Sequence, residues 1–286
     1  MGMDFITFCR MHGVVIDCLP PVGRWKRFKT EDKPHSRNGA VKWMGDHGHV
    51  QNHATMTEVA SWRPDDTDKF TVDHRALAAA AAAAAAAERE RAAARERAAR
   101  KAQWILDQCQ QAQHAYLERK GFKDERGLVW ITPRGPVLVV PMRVGADLVG
   151  CQLISEAGEK KFLSGQRTTD AAFVIGHHGA QVLCEGYATG LSVRVALAAA
   201  KVQRQIVVTF SANNLKRMAR PGALVVADND ASGTGERVAR ETGLPYWLSD
   251  TVGEDFNDFH QRAGLFRACS GLRSALFGVG RGQGMP

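Results

Sequence analysis

Apolar and polar positions along this chain change their period twice. Up to about residue 72 the apolar positions come in short extended pieces, GRWKRFKT, GAVKWMG and GHVQNHAT, parted by the turn formers RNG and GDHG, which predicts a small antiparallel sheet. From 74 to about 120, HRALAAAAAAAAAAERERAAARERAARKAQWILDQCQQAQHAYLERKG joins the strongest helix former to charges, with Glu88 and Arg91, then Glu96 and Arg100, at helical spacing. One long helix ending at Gly121 is predicted. Its alanine half lacks a broad apolar stripe and is expected to bridge two domains, whereas Ile105, Leu106, Cys109 and Tyr116 give the later part something to bury.

From about 122 to 264 the pattern alternates. The extended runs are PVLVVPMRV, DLVGCQLIS, AAFVIG, QVLCEG, QIVVTF, ALVVADND and PYWLS; between the later ones lie the helical patterns YATGLSVRVALAAAK, ANNLKRMAR and GTGERVARETG. That is the alternation of a parallel α/β sheet. One more helical piece follows 264, and GVGRGQGMP has the composition of a disordered tail.

Composition narrows the partner. A formal charge of +8 over 286 residues favours a polyanion, nucleic acid before membrane, since no basic amphipathic anchor accompanies it. No apolar run reaches the roughly 18 residues a membrane span needs, and alanine at 76 to 87 is too weakly apolar to insert. Six scattered cysteines without a CxxC pair spell neither a zinc ribbon nor a disulfide framework, so a soluble protein of the reducing cytoplasm is expected.

The chemistry concentrates at strand ends, where the reactive crevice of a parallel sheet lies. VLCEG puts Glu185 at one end and VVADND puts Asp228 and Asp230 at another. Aspartates two apart in extended chain project to one side, and their repulsion is relieved by a hard divalent cation with oxygen ligands, Mg²⁺ or Mn²⁺. Read alone, the pair also fits a plain cap on the helix that begins near Gly233. A third acidic cluster, EDFNDFH, carries Asp255 and Asp258 after the next strand, and the spacing leaves open which of the two points inward.

The ordered set of strand, Glu185-Gly186, helix, strand, helix, strand, Asp228-Asn229-Asp230, Ser232-Gly233 resembles the Toprim domain of bacterial-type primases, topoisomerases, OLD-type nucleases and RecR proteins. HAYLERKGF, VLVVPMRVGADLVGCQLISEAGEKKFLSG and FVIG ahead of it look like the region that precedes Toprim in DnaG-like primases, most closely those of phage and plasmid replication. The resemblance runs over about 110 to 262 and departs at Thr189, where such primases usually carry a further aspartate. It implies a fold of α/β class: a Toprim-type parallel sheet flanked by helices, preceded by a long helix and a small N-terminal antiparallel β domain. The implied domains are a front domain at 1–73, a helical linker at 74–120, a primase-core subdomain at 121–180, a catalytic domain at 181–264 and a tail at 265–286.

On that resemblance the chain is expected to be a DNA primase of a phage or plasmid, making short RNA primers from ribonucleoside triphosphates on a single-stranded DNA template. Glu185, Asp228 and Asp230 would be catalytic and, with Asp255 and Asp258, would hold the cation; Arg143 and Lys161 would line the channel for phosphates. Trp25, Arg27, Lys42 and Trp43 suit base stacking and phosphate contact in a template-reading front domain. Cys9-x-x-His12 is not completed by a second close pair, so zinc is not expected. No GxxxxGK[ST] sequence occurs, which assigns any replicative helicase to a separate chain. Two other readings stand beside this one: a metal-dependent nuclease on the same domain, and a non-catalytic nucleic-acid-binding module of a replication complex, which Thr189 leaves open.

Overall fold

A computed structural model of the chain describes residues 3–64, 74–176 and 179–278; the final residues 279–286, expected to be a tail, lie outside them. The chain divides into two compact units, and the division falls inside a helix, between Ala92 and Ala93.

In the first unit α1 (Phe5–Met11) is capped by Asp4, whose carboxylate accepts from the Thr7 amide at 2.8 Å. The alternating pieces become an antiparallel sheet of β1 (Trp25–Phe28), β2 (Gly39–Trp43), β3 (Gly48–Asn52) and β4 (Ala60–Trp62), in that order. One face is buried: Val41, Trp43, Val50 and Trp62 pack on Phe5, Cys9, Val14 and Ile16. Trp43 lies 5.1 Å from Phe5 and 6.0 Å from Trp62 between ring centroids, so it is a core residue and cannot stack a base. Cys9 belongs to the same core, and burial pushes its thiol up to about 12.

The long helix α2 (His74–Asp107) is shorter than predicted. Ala98, Ala102 and Ile105, at i, i+4 and i+7, are buried against Val139, Cys151 and Leu163. After Asp107 the chain turns into β5 (Gln110–Ala112), which pairs with a later strand instead of extending the helix. His114 then starts a separate short helix, α3 (Ala115–Arg119): one ring nitrogen accepts from the Tyr116 amide at 3.2 Å and the other lies 3.3 Å from the Pro136 carbonyl. Gly121 does end a helix, but it is α3, where the backbone turns left-handed at φ +88°.

β6 (Gly127–Thr132), β7 (Gly135–Val144), β8 (Asp147–Ser155) and β9 (Lys160–Phe162) complete an antiparallel meander in the order β5-β6-β7-β8-β9. The second sheet of this unit is mixed. Its strands β10 (Phe173–Ile175), β11 (Gln181–Cys184), β12 (Gln205–Val208), β13 (Leu224–Val226) and β14 (Tyr246–Trp247) run in the order β10-β12-β11-β13-β14. β10 is antiparallel to β12, and the other pairs are parallel. Helices α4 (Tyr187–Ala199) and α7 (Phe256–Phe277) cover one face through Val193, Leu197, Phe256 and Leu272; α5 (Ala212–Met218) and α6 (Thr234–Thr242) cover the other through Leu215, Val238 and Ala239. The unit is therefore of α/β class, with the strand-helix alternation confined to residues past about 180. Among the described residues no helix is long and apolar enough to cross a membrane.

Candidate functional site

β11 and β13 are neighbours in parallel register, Cys184 opposite Val226, so whatever follows them emerges at one edge. Glu185 follows β11 directly and Asp228 comes two residues after β13. Both are half-buried. Burial, and after it Asp230, push the Glu185 carboxyl above its usual range, although the Ala212 amide at the start of α5 pulls the other way.

Asp228 is the most perturbed acid of the group. Burial, then the negative charges of Asp255 and Glu185, push it up from 3.8 to about 7, against the pull of the Lys160 ammonium. Its Oδ1 is buried without a hydrogen-bond partner. Among the described residues only three other buried side-chain oxygens are unpartnered, and two of them stand nearby: Thr189 Oγ1, one turn along from Glu185, and the Tyr116 hydroxyl, which feels Asp255 and Asp258. An acid oxygen buried among carboxylates with no donor takes up either a proton or a cation.

Asp230 is differently employed. Its carboxylate accepts from the Ser232 amide at 2.8 Å, from the Ser232 hydroxyl, and from the Thr234 and Gly235 amides at 3.3 Å each, which keeps it below the usual carboxylate range. The helix-cap alternative therefore describes Asp230 as it stands, while Asp228 is left facing the other acids. Between them Asn229 clips the loop ahead of α7: its amide donates to the Glu254 carbonyl at 3.1 Å and its side chain to the Ser249 carbonyl at 2.9 Å. Gly235 is needed where α6 approaches, since a Cβ there would stand 2.1 Å from the Asp228 carbonyl oxygen.

The two later aspartates separate in role. Asp255 caps α7, accepting from the Asp258 amide at 2.8 Å, and exerts the largest charge effect on Asp228. Asp258 returns the capping bond and is held by Lys120 at 3.0 Å, so its charge is already paired with a cation distant in sequence. Fully buried Asn257 fixes this corner by donating 2.9 Å bonds to the Lys120 carbonyl and the Ser192 hydroxyl. With Asp230 and Asp255 in caps and Asp258 on Lys120, no three acidic, histidine or cysteine side chains among the described residues close into a metal cage.

The basic residues divide unexpectedly. Arg143 donates to the Ala146 carbonyl of its own hairpin at 2.8 Å and lines a cavity of about 370 Å³ that none of these carboxylates shares. Lys161 is exposed beside Glu159 at 3.3 Å. Lys160, one position earlier, is the lysine whose charge reaches Asp228, and the residue pattern KK by itself did not distinguish the two.

In the first unit Trp25, Lys42, His49 and Ser61 form a row across all four strands on the face opposite the core. Trp25 is 48% exposed, its ring 6.3 Å from His49, and His49 meets the Ser61 hydroxyl at 2.9 Å. Arg27 is exposed two residues along on the same face. The alternation in GAVKW carried this signal: Val41 and Trp43 share a face and Lys42 takes the other.

No protein-family profile matches the chain, and no curated protein matches it in sequence. Among solved structures it is similar to a complex of the bacteriophage T7 lagging-strand DNA polymerase interacting with primase domains of two gp4 subunits bound to an RNA/DNA hybrid and dTTP. The identity is 14%, the match covers 56% of this chain and 84% of that one, and the TM-score is 0.40, a remote likeness.

Proposed function

We propose that the chain is a DNA primase whose second unit is a Toprim-type catalytic domain, joining ribonucleotides on single-stranded DNA. The observation that carries this reading is the unpartnered, buried Oδ1 of Asp228, set among Glu185 and Asp255 at the carboxyl ends of adjacent parallel strands. Such a donor set fits a hard divalent cation: the oxygens are anionic, mutually repelling and short of hydrogen-bond donors. Asp228 and Glu185, joined by Asp255 on leaving its cap on α7, would hold Mg²⁺ or Mn²⁺, which when bound neutralises charge at the reacting phosphate and acidifies the attacking hydroxyl. Asp230 supports the site from its cap, and Asp258 stays on Lys120.

In the reaction the 3′-hydroxyl of one nucleotide bonds to the α-phosphorus of the next as the bond to pyrophosphate breaks. Glu185, its carboxyl raised above the usual range by burial, is the group of this chain suited to accept the hydroxyl proton. The Trp25, Lys42, His49 and Arg27 face offers a stacking surface, cations and a hydrogen-bonding ring to template bases and phosphates. Labelled ribonucleotides supplied with unprimed single-stranded DNA and Mg²⁺ or Mn²⁺ test the proposal: short RNA products are expected. Shortening of the DNA instead would identify a nuclease on the same site, and no reaction with intact DNA binding would identify a non-catalytic module.

A further inference from the structure

The last helix of the second unit changes direction once and then presents a face left open to solvent. Gly264 breaks α7 at φ +81° and ψ 165°, a backbone conformation that residues with a Cβ rarely adopt, and the helix resumes over 265–277. Ala268 and Leu272 turn inward, onto the core beneath the mixed sheet. Phe266, Ser270, Arg273 and Phe277, spaced i, i+4, i+7 and i+11, turn outward as one exposed stripe. Phe266 is 85% exposed and Phe277 62%, on a surface that water alone would keep polar. Along this stripe, against the end of α4, runs a groove of about 900 Å³. Small residues line it, Ala199, Ala200, Cys269 and Ser274 among them, so a neighbouring backbone can come close. The two phenylalanines stand toward its ends, about 16 Å or three helical turns apart.

Charge narrows the occupant. Residues 186–227 and 259–286 contain no aspartate or glutamate, so neither α4 nor the stretch of α7 along the groove carries an acid. Arg273 lines the groove, Arg267 and Lys201 directly follow Phe266 and Ala200, and none of these three cations has an ion-pair partner among the described residues. A second copy of the chain would set the cations against themselves, and residues 279–286, VGRGQGMP, bring Arg281 and no acid. A groove three turns long, with an aromatic ring toward each end, takes the apolar ridge of a helix, whereas stacking of successive bases asks for aromatic rings side by side. We propose that this face of α7 docks an amphipathic helix of a partner protein, its apolar ridge seated between Phe266 and Phe277 and its acidic flanks set against Arg267, Arg273 and Lys201. None of these residues belongs to the acid site, and the docking face is independent of the reaction proposed above.

The test titrates the full chain into labelled peptides of about 20 residues and follows fluorescence anisotropy. One peptide carries leucines at i, i+3, i+4 and i+7 with glutamates on its flanks, a second has lysines in place of the glutamates, and a third scrambles the first. The acidic amphipathic peptide is expected to bind at least about 10-fold more tightly than either control. Phe266→Ser and Phe277→Ser should each weaken it at least about 5-fold, and Arg273→Glu comparably. The replaced side chains are exposed, so the fold is kept. Equal binding of the scrambled or the lysine peptide, no binding at all, or an affinity indifferent to the phenylalanine substitutions overturns the proposal. Other occupants would overturn it too: a second copy, seen as dimerisation in sedimentation that Phe266→Ser abolishes; residues 279–286, seen as a peptide affinity raised by their removal; or nucleic acid or lipid, seen as oligo-dT or anionic-vesicle binding lost in Phe266→Ser.

Discussion

Replacing Asp228 by Asn should stabilise the metal-free protein, by an amount that grows as pH rises from about 4 and levels off above about 7. The carboxyl is raised from 3.8 to about 7, chiefly by burial and by the charges of Asp255 and Glu185. Between those pH values the folded state keeps a proton that the unfolded state has released. Stability is thus fully present below pH 3.8, falls as pH rises, and has lost the whole contribution above about 7. Three pH units at about 1.4 kcal/mol each give a ceiling of ~4 kcal/mol, and solvent reaching this half-buried residue brings the expectation to about 2–4 kcal/mol. Asn keeps the shape and cannot ionise, so it removes the loss. Urea unfolding in EDTA at pH 4 and pH 8 reads the effect, as a midpoint raised by about 1–2 M at pH 8 if m is near 2 kcal/mol/M. A variant no more stable than the wild type at pH 8, or equally stabilised at pH 4, would refute the placement of Asp228 among like charges.

The remaining predictions separate residues that look alike in sequence. Trp43→Ala should cost about 3–5 kcal/mol of first-unit stability, seen by thermal unfolding, because Trp43 packs on Phe5 and Trp62. Trp25→Ala should leave that transition in place and weaken oligo-dT binding by about 1–3 kcal/mol in a fluorescence titration. Asp230→Ala should lose the cap of α6 at about 1 kcal/mol, whereas Asp230→Asn should retain most of it, as urea unfolding of the two variants would show. Affinity for single-stranded DNA should fall steeply between 50 and 200 mM salt, and removing either Lys42 or Arg27 should flatten the slope of log K against log salt by about 0.7.

The chain past about 180 was legible because each strand there is a short apolar run closed by a turn and followed by a helical period; Glu185 and Asp228 fall where such strands end. Sequence failed where a partner element decides. The helix formers after Asp107 yield to the pairing of Gln110–Ala112 with β6, and β6 itself, GLVWIT, was not anticipated beside its longer neighbours. The choice between Lys160 and Lys161 needs the register of β9 against β8, which a three-residue strand does not display in its own pattern. Asp258 was separable from Asp255 only once Lys120, distant in sequence, had been placed beside it. Trp43 was the avoidable error, since its two-residue spacing from Val41 assigns it to the core.

Whether the acids at the ends of β11 and β13 gather a divalent cation is decided by anomalous diffraction from crystals soaked in Mn²⁺. An anomalous peak is expected bonded to Oδ1 of Asp228 at about 2.1–2.2 Å, within reach of Glu185 and Asp255, and absent from crystals of Asp228→Asn. Crystals in which Mn²⁺ binds elsewhere, or in which Oδ1 of Asp228 stays bare while Asp255 keeps its cap on α7, would contradict a cation site there.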